Sequence, residues 1–262
     1  MRLLFWRKPR VPVLVLHGIL ARRGALNIAA YGTLIERAFA LAAKQGHLIL
    51  DIESPGGSPV QADLIASRIR RLASEKSVKV HAVIGEVGAS GGYWLACAAD
   101  RILANPMSIV GSIGVVGGGF GFDQALTRLG VQRRVYTAGV NKARNDPFLP
   151  ERPDDVAFTR ALLEALHSRF KDWVRDRRAG RLKADEAALF DGGYMLGAAA
   201  LAAGLIDEFG EVDSLVRALG GAKATPLYIR PRRRGLFSRL PHLLLDAAIE
   251  AGEERHGPTL RL

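Results

Sequence analysis

Strand and helix patterns alternate along this chain from residue 11 to residue 219, and that alternation restricts the fold more than any other feature. An apolar run at 11–16, broken only by Pro12, opens the series. It is too short for a membrane-spanning helix, which needs about 20 apolar residues, and shorter than the apolar region of a signal peptide. It reads as a buried strand. A helix near 30–44 and a strand at 47–52 follow. The spacing then predicts a helix over 59–74 with Leu64, Ile65, Ile69 and Leu72 on its apolar side, a strand over 78–86, a short apolar helix over 93–99 and a strand over 101–104. A glycine-rich loop at 111–121 leads to a helix at 122–129, ended by Gly130. Val131, Arg133 and Val135 alternate as on an exposed strand. Asp154 or Asp155 can cap a long helix whose buried stripe is Phe158, Leu162, Leu166, Phe170 and Trp173. Helices over 196–203, closed by Gly204, and over 212–219 complete the series. Repeated alternation predicts a layered α/β fold with mostly parallel strands and flanking helices.

The balance of 48% hydrophobic and 24% charged residues supplies an ordinary core and excludes wholesale disorder and fibrous folds. One cysteine, Cys97, excludes a disulfide framework and a thiolate-rich zinc site. No His/Asp/Glu cluster has metal-ligand spacing, and no phosphate-binding fingerprint is present, so neither metal nor cofactor is expected. The formal net charge is +11. Much of it sits in two terminal runs, Arg2, Arg7, Lys8 and Arg10, then Arg230, Arg232, Arg233 and Arg234. Both runs interleave cations with apolar bulk. They read as interfacial segments for an anionic membrane surface, or as packing on a neighbouring subunit. Neither lies on a nucleic-acid module, so no nucleic-acid partner is expected. The expected organisation is a basic–apolar segment at 1–10, one domain at 11–229 and a basic amphipathic tail at 230–262. The expected location is cytoplasmic, peripheral on the inner membrane.

Two turns carry chemistry. Gly-Ala-Ser-Gly-Gly at 88–92 lets Ser90 sit on a sharp strand-to-helix turn, with its hydroxyl exposed and a helix N-terminus beside it. Ser-Pro-Gly-Gly at 54–57 follows another strand, and its adjacent glycines leave backbone N–H groups free to approach a substrate oxygen. Either turn alone could merely reverse the chain. A serine nucleophile needs a base. His17, His47 and His81 sit in or beside strands, His167 is on the long helix, and His242 and His256 are in the tail. A lysine serves if desolvation or neighbouring positive charge populates its neutral amine. Lys142 lies just past a strand, with Arg133, Arg134 and Arg144 near in sequence; on its own it reads first as a solvated loop lysine.

Taken together, Ser54-Pro-Gly-Gly57, the run Gly88-Ala-Ser-Gly-Gly-Tyr-Trp-Leu-Ala-Cys-Ala-Ala-Asp100, Gly111-Ser-Ile-Gly-Val115 and Ala138-Gly-Val-Asn-Lys-Ala143 resemble the signal peptide peptidase A family. These are serine–lysine proteases of ClpP/crotonase-like fold. The resemblance covers roughly 11–219. It implies Ser90 as nucleophile, Lys142 as general base, oxyanion donors at Gly57 and Gly91, and Ser112 as the residue orienting Lys142. It also implies a substrate groove with small apolar pockets, peptide substrates, and a homo-oligomeric ring whose active sites are shared between protomers. Three departures stand out. Family members commonly begin with a membrane anchor, which is not seen here, Glu53 stands where Asn is frequent, and Asn145-Asp146-Pro147-Phe148 keeps only part of the usual surroundings of the lysine. Other readings are an α/β-hydrolase-type esterase built on the 88–92 elbow, a crotonase-like hydratase, and a catalytically dead membrane-associated scaffold.

Overall fold

The computed structural model describes residues 9–231. The chain runs β1 (Arg10–His17), α1 (Ile28–Ala42), β2 (His47–Ser54), α2 (Pro59–Glu75), β3 (Lys79–Ala89), α3 (Gly91–Ala96), β4 (Arg101–Ala104), β5 (Ile109–Gly111), α4 (Asp123–Arg128), α5 (Pro153–Arg177), α6 (Glu186–Leu189), β6 (Tyr194–Leu196), α7 (Gly197–Ala203), β7 (Glu208–Phe209), α8 (Val212–Gly220) and β8 (Thr225–Ile229). One sheet holds the strands in the order β6-β5-β3-β2-β1-β8, and β4 pairs with both β3 and β7. Every pairing is parallel except β5 with β6. This is the layered, mostly parallel α/β architecture that the alternation predicts.

The central strands are covered on both faces, which is why they read as continuous apolar runs. Leu14, Leu50, Ala82 and Ile102 belong to the main core, which α1, α2 and α3 close with Phe39, Ile65, Ile69 and Tyr93. Val11, Val13, Ile49, Val83 and Leu103 point to the opposite layer, where Leu215 and Val216 of α8 cover them. Local caps start the helices where the turns require it. The Asn27 side chain accepts a hydrogen bond from the Ala30 N–H at 2.8 Å, and Ser58 caps α2 ahead of Pro59. Gly204, at φ 81°, closes α7 in the left-handed region.

Three expectations need correction. Leu64 is not on the buried side of α2; Ala62, Ile65, Ala66, Ile69, Leu72 and Ala73 are. The stripe on α5 is buried only toward its C-terminal half, at Phe170 and Val174, while Phe158 and Leu162 are exposed. The C-terminal half packs on α3, where Phe170 and Trp173 meet Trp94. The alternating segment 131–135 forms no strand, because no other segment of the described chain lies alongside to pair with it. In addition, Asp154 and Asp155 occupy the first turn of α5 and neither caps it by a side-chain hydrogen bond; Arg152 holds the cap position.

Candidate active site

The site forms where β2 and β3, neighbours in the sheet, end side by side. Beyond β3, Ser90 adopts φ 52° and ψ −122°, a backbone conformation L residues rarely take. The strain is over-determined by its surroundings: the Ser90 N–H donates to the Gly111 carbonyl at 2.8 Å and the Trp94 N–H donates to the Ser90 carbonyl at 3.0 Å. The Ser90 hydroxyl itself has no hydrogen-bond partner among the described residues. Strain at a serine with a free hydroxyl, immediately before a helix, is the geometry of a nucleophile elbow.

Beyond β2, the 54–57 turn packs directly on this elbow. A Cβ at Gly56 would stand 2.7 Å from the Gly91 nitrogen and 2.8 Å from the Ser90 Cβ, so only glycine permits the approach. The buried Ser54 hydroxyl accepts from the Gly56 N–H at 3.2 Å and braces the turn. Among the described residues the N–H groups of Gly57 and Gly91 find no acceptor. Both residues line the same cavity as Ser90. Two free backbone donors beside a free hydroxyl are what stabilisation of a tetrahedral oxyanion requires.

The cavity measures about 630 Å³. Pro55, Pro59, Ala62, Val115, Leu166 and Phe170 make it largely apolar, with Ser112, His167 and Asp191 as polar members. Trp94 stacks on Trp173 with centroids 5.7 Å apart and leans on Phe170 at 5.1 Å. Its indole N–H is buried without an acceptor among the described residues. Ser112 also takes a positive φ of 52°, and its N–H donates to the Gly193 carbonyl at 2.6 Å. His167, which the motif pattern did not single out, lines the cavity and its Nε2 lies 3.0 Å from the Ile113 carbonyl, tying α5 to the segment after β5. Its signal in the sequence was only its position on the long helix.

Lys142 is elsewhere in the single chain. It is exposed, does not line the Ser90 cavity, and its ammonium has no partner among the described residues. Ser90 and Ser112 are therefore brought together by one chain, and Lys142 is not. Two of the arginines near it in sequence are paired: Arg133 with Asp146 at 3.0 Å, and Arg144 with the buried Asp155 at 3.1 Å while lying 4.2 Å over the Phe158 ring. The Phe148 N–H and the Arg133 guanidinium hold the Asp146 carboxyl below its usual range. These contacts, with an Asn145–Thr159 hydrogen bond at 3.1 Å, fasten the Lys142 loop to the first turns of α5.

A model of peptidase family S49 matches residues 72–225, more than half of the chain and including Ser90, Ser112 and Lys142. The chain belongs to peptidase family S49. Its fold is accordingly the ClpP/crotonase-like one. A protein of Haemophilus influenzae named "Probable protease SohB" is 34% identical over 178 residues, 67% of this chain and 49% of that protein. Its namesake in Buchnera aphidicola is 31% identical over 180 residues, 67% of this chain and 51% of that protein. A Brucella melitensis protein named "Na(+)/H(+) antiporter NhaA" is 44% identical over 243 residues, 90% of this chain. The chain spans only 33% of that protein. None of the helices among the described residues is long and apolar enough to cross a membrane.

Proposed function

We propose that this S49 chain is a serine endopeptidase that works through an acyl-enzyme and a serine–lysine dyad. The observation that carries the reading is the strained Ser90, whose free hydroxyl shares a cavity with the free N–H groups of Gly57 and Gly91. Ser90 Oγ attacks the peptide carbonyl, and the Gly57 and Gly91 N–H groups receive the oxyanion. Lys142 accepts the Ser90 proton and returns it to the leaving amine, which departs as the acyl-enzyme forms. Ser112 orients the amine. Water then hydrolyses the ester, with Lys142 again as base. The apolar walls of the cavity favour apolar or membrane-derived peptides, signal-peptide remnants among them.

The base reaches the serine from a second copy. Lys142 is exposed and away from the cavity of its own chain. The arm that bears it leaves apolar side chains uncovered: Val116 is 95% exposed, Tyr136 92% and Val140 84%. Its 131–135 stretch has the alternation of a strand and no strand partner among the described residues. A contact of serine-side to lysine-side surface is heterologous, and repetition with closure makes a ring. The basic termini, of which only Arg10, in the first strand, and Arg230 fall among the described residues, are proposed to dock on an anionic membrane surface; sedimentation with anionic vesicles at low and high salt tests this.

Mixing tests the core of the reading. Ser90→Ala and Lys142→Ala are each expected to be inactive on an apolar peptide. Co-assembled, they should recover activity at junctions pairing an intact Ser90 with an intact Lys142. Verified co-assembly without recovery at any ratio would place the dyad within one chain. A Ser90→Ala protein that retains full activity would remove the serine from the mechanism. The esterase alternative gains one observation, since His167 is, among the described residues, the imidazole that lines the Ser90 cavity, and Asp191 also lines it. A His167→Ala variant that loses ester and peptide turnover while Lys142→Ala keeps both would favour it.

A further inference from the structure

Two turns on adjacent strands must hold a fixed spacing for this chemistry, and a single side chain spans the place where their register changes. β2 and β3 pair residue for residue up to Ile52 with Ile84, and the next pair is Ser54 with Gly88. β3 thus carries Gly85, Glu86 and Val87 where β2 carries only Glu53. A bulge of this kind takes backbone donors away from the neighbouring strand and bends the chain. The Glu53 carboxylate supplies the missing acceptors. Its Oε2 receives the Glu86 N–H at 2.6 Å and its Oε1 receives the Val87 N–H at 3.1 Å. The Glu53 backbone meanwhile belongs to the other side of β2: its carbonyl accepts from the Gly18 N–H at 2.8 Å. Gly85 has no side chain where one would collide, since a Cβ there would overlap Glu53 Oε2. The Ser108 hydroxyl donates to the Gly85 carbonyl and holds the bulge from the other flank.

The position of this clamp gives it a consequence for catalysis. Glu53 directly precedes the 54–57 turn, and the bulge it holds ends at Gly88, two residues before Ser90. We propose that Glu53 is a positioning residue for the oxyanion site, its carboxylate clamping the β3 bulge so that the Gly57 and Gly91 N–H groups keep their spacing around the carbonyl that Ser90 attacks. This rests on the reading of Ser90 as nucleophile. A carboxylate offers only acceptors, so it suits two converging N–H groups; an amide in its place offers one acceptor and turns a donor toward the other N–H. Misplacement of a reacting group by about 1 Å costs about 100-fold in rate.

The test uses the full chain, an apolar fluorogenic peptide and a fluorophosphonate probe. Glu53→Ala should lower kcat and the rate of Ser90 labelling by about 10- to 100-fold while KM stays within about threefold, because the groups displaced act on the transition state. Glu53→Gln should fall between it and the wild type. Gly85→Ala, a change on the opposite strand, should reproduce the loss by displacing the carboxylate. Adding it to Glu53→Ala should cost little more, because its target is already gone. A kcat for Glu53→Ala within about twofold of wild type, with wild-type labelling, overturns the inference. Should Glu53→Ala fail to fold, wild-type kcat in both Glu53→Gln and Gly85→Ala overturns it equally. Absence of label on Ser90 in the wild-type protein overturns the nucleophile reading, and this inference with it; a labelled wild type beside an equally labelled Glu53→Ala overturns this inference alone.

Discussion

Gly57→Ala is the substitution whose outcome the geometry specifies most fully. Gly57 sits at φ 131°, where an L residue is strained by about 1–3 kcal/mol. A Cβ there would overlap the Leu20 carbonyl oxygen and lie 3.0 Å and 3.1 Å from the Leu20 carbonyl carbon and nitrogen. Those atoms cannot retreat freely: the Leu20 N–H donates to the Gly56 carbonyl at 2.9 Å, and the Leu20 carbonyl accepts from the Ser58 N–H at 2.7 Å. Strain and displacement together should cost about 2–4 kcal/mol, or roughly 5–15 °C in melting temperature for a domain of this size. A typical stability of about 5–15 kcal/mol leaves the variant folded at 25 °C. The catalytic loss should be larger, because the turn that moves carries an oxyanion donor, and losing one such donor costs about 10²–10³ in kcat. Thermal unfolding and peptide hydrolysis on the same preparation measure both. Gly46→Ala is the control. It too has a positive φ, 77°, but nothing lies within 4 Å of the added Cβ and the turn is not part of the site. It should lower the melting temperature and leave kcat unchanged. A folded Gly57→Ala protein with kcat within about threefold of wild type would refute the assignment of the 54–57 turn to the oxyanion site.

Three further outcomes follow from particular residues. Lys142→Arg should be inactive although it keeps the charge, because a guanidinium stays protonated near neutral pH and does not serve as a base; substantial turnover would dismiss Lys142 as the base. Ser90→Ala should leave the melting temperature within about 2 °C, since the hydroxyl it removes makes no hydrogen bond among the described residues and the backbone strain is unchanged; a large loss of stability would contradict that geometry. His81, which is buried with its Nδ1 unpartnered, is pushed down to about 4 by burial first and by His47 next, whose Nδ1 lies 3.2 Å from His81 Nε2. The unfolded chain therefore binds the proton first, so the stabilisation is complete above about pH 6.5 and is lost, by about 3 kcal/mol, as the pH falls to 4. Denaturant titrations at pH 7 and pH 4 should show that slope in the wild type and a shallower one in His81→Leu; identical slopes would refute it.

The parts of this fold that were legible in the sequence are those set by short-range physics. Strands buried on both faces, such as 47–52 and 78–86, need unbroken apolar runs, and the helices between them need one apolar side. The 54–57 and 88–92 turns were legible because positive φ and close backbone approach demand glycine, and the structure has both conditions at Gly56 and Gly57. The four-residue β4 was legible, but the shortest strands and the proline-bearing edge strand were not. β5 and β6 are three residues each, and β8 contains Pro226, tolerated because it pairs only with β1 at the sheet edge.

Tertiary structure decided what depends on which surface meets which. Phe158 and Leu162 have the same helical spacing as Phe170, yet only Phe170 reaches the core, because α5 crosses it with one half. Residues 131–135 alternate as a strand does, but a strand exists only when another chain segment supplies its hydrogen bonds. Glu53 is one residue before a turn in the sequence and a clamp across two strands in space, since the three-against-one register that creates its role is a property of the β2–β3 pair and of neither strand alone. Local pattern encodes propensity and turn chemistry; register, burial of one helix half and the partner of an exposed edge are long-range quantities, and they come into being only when the segments meet.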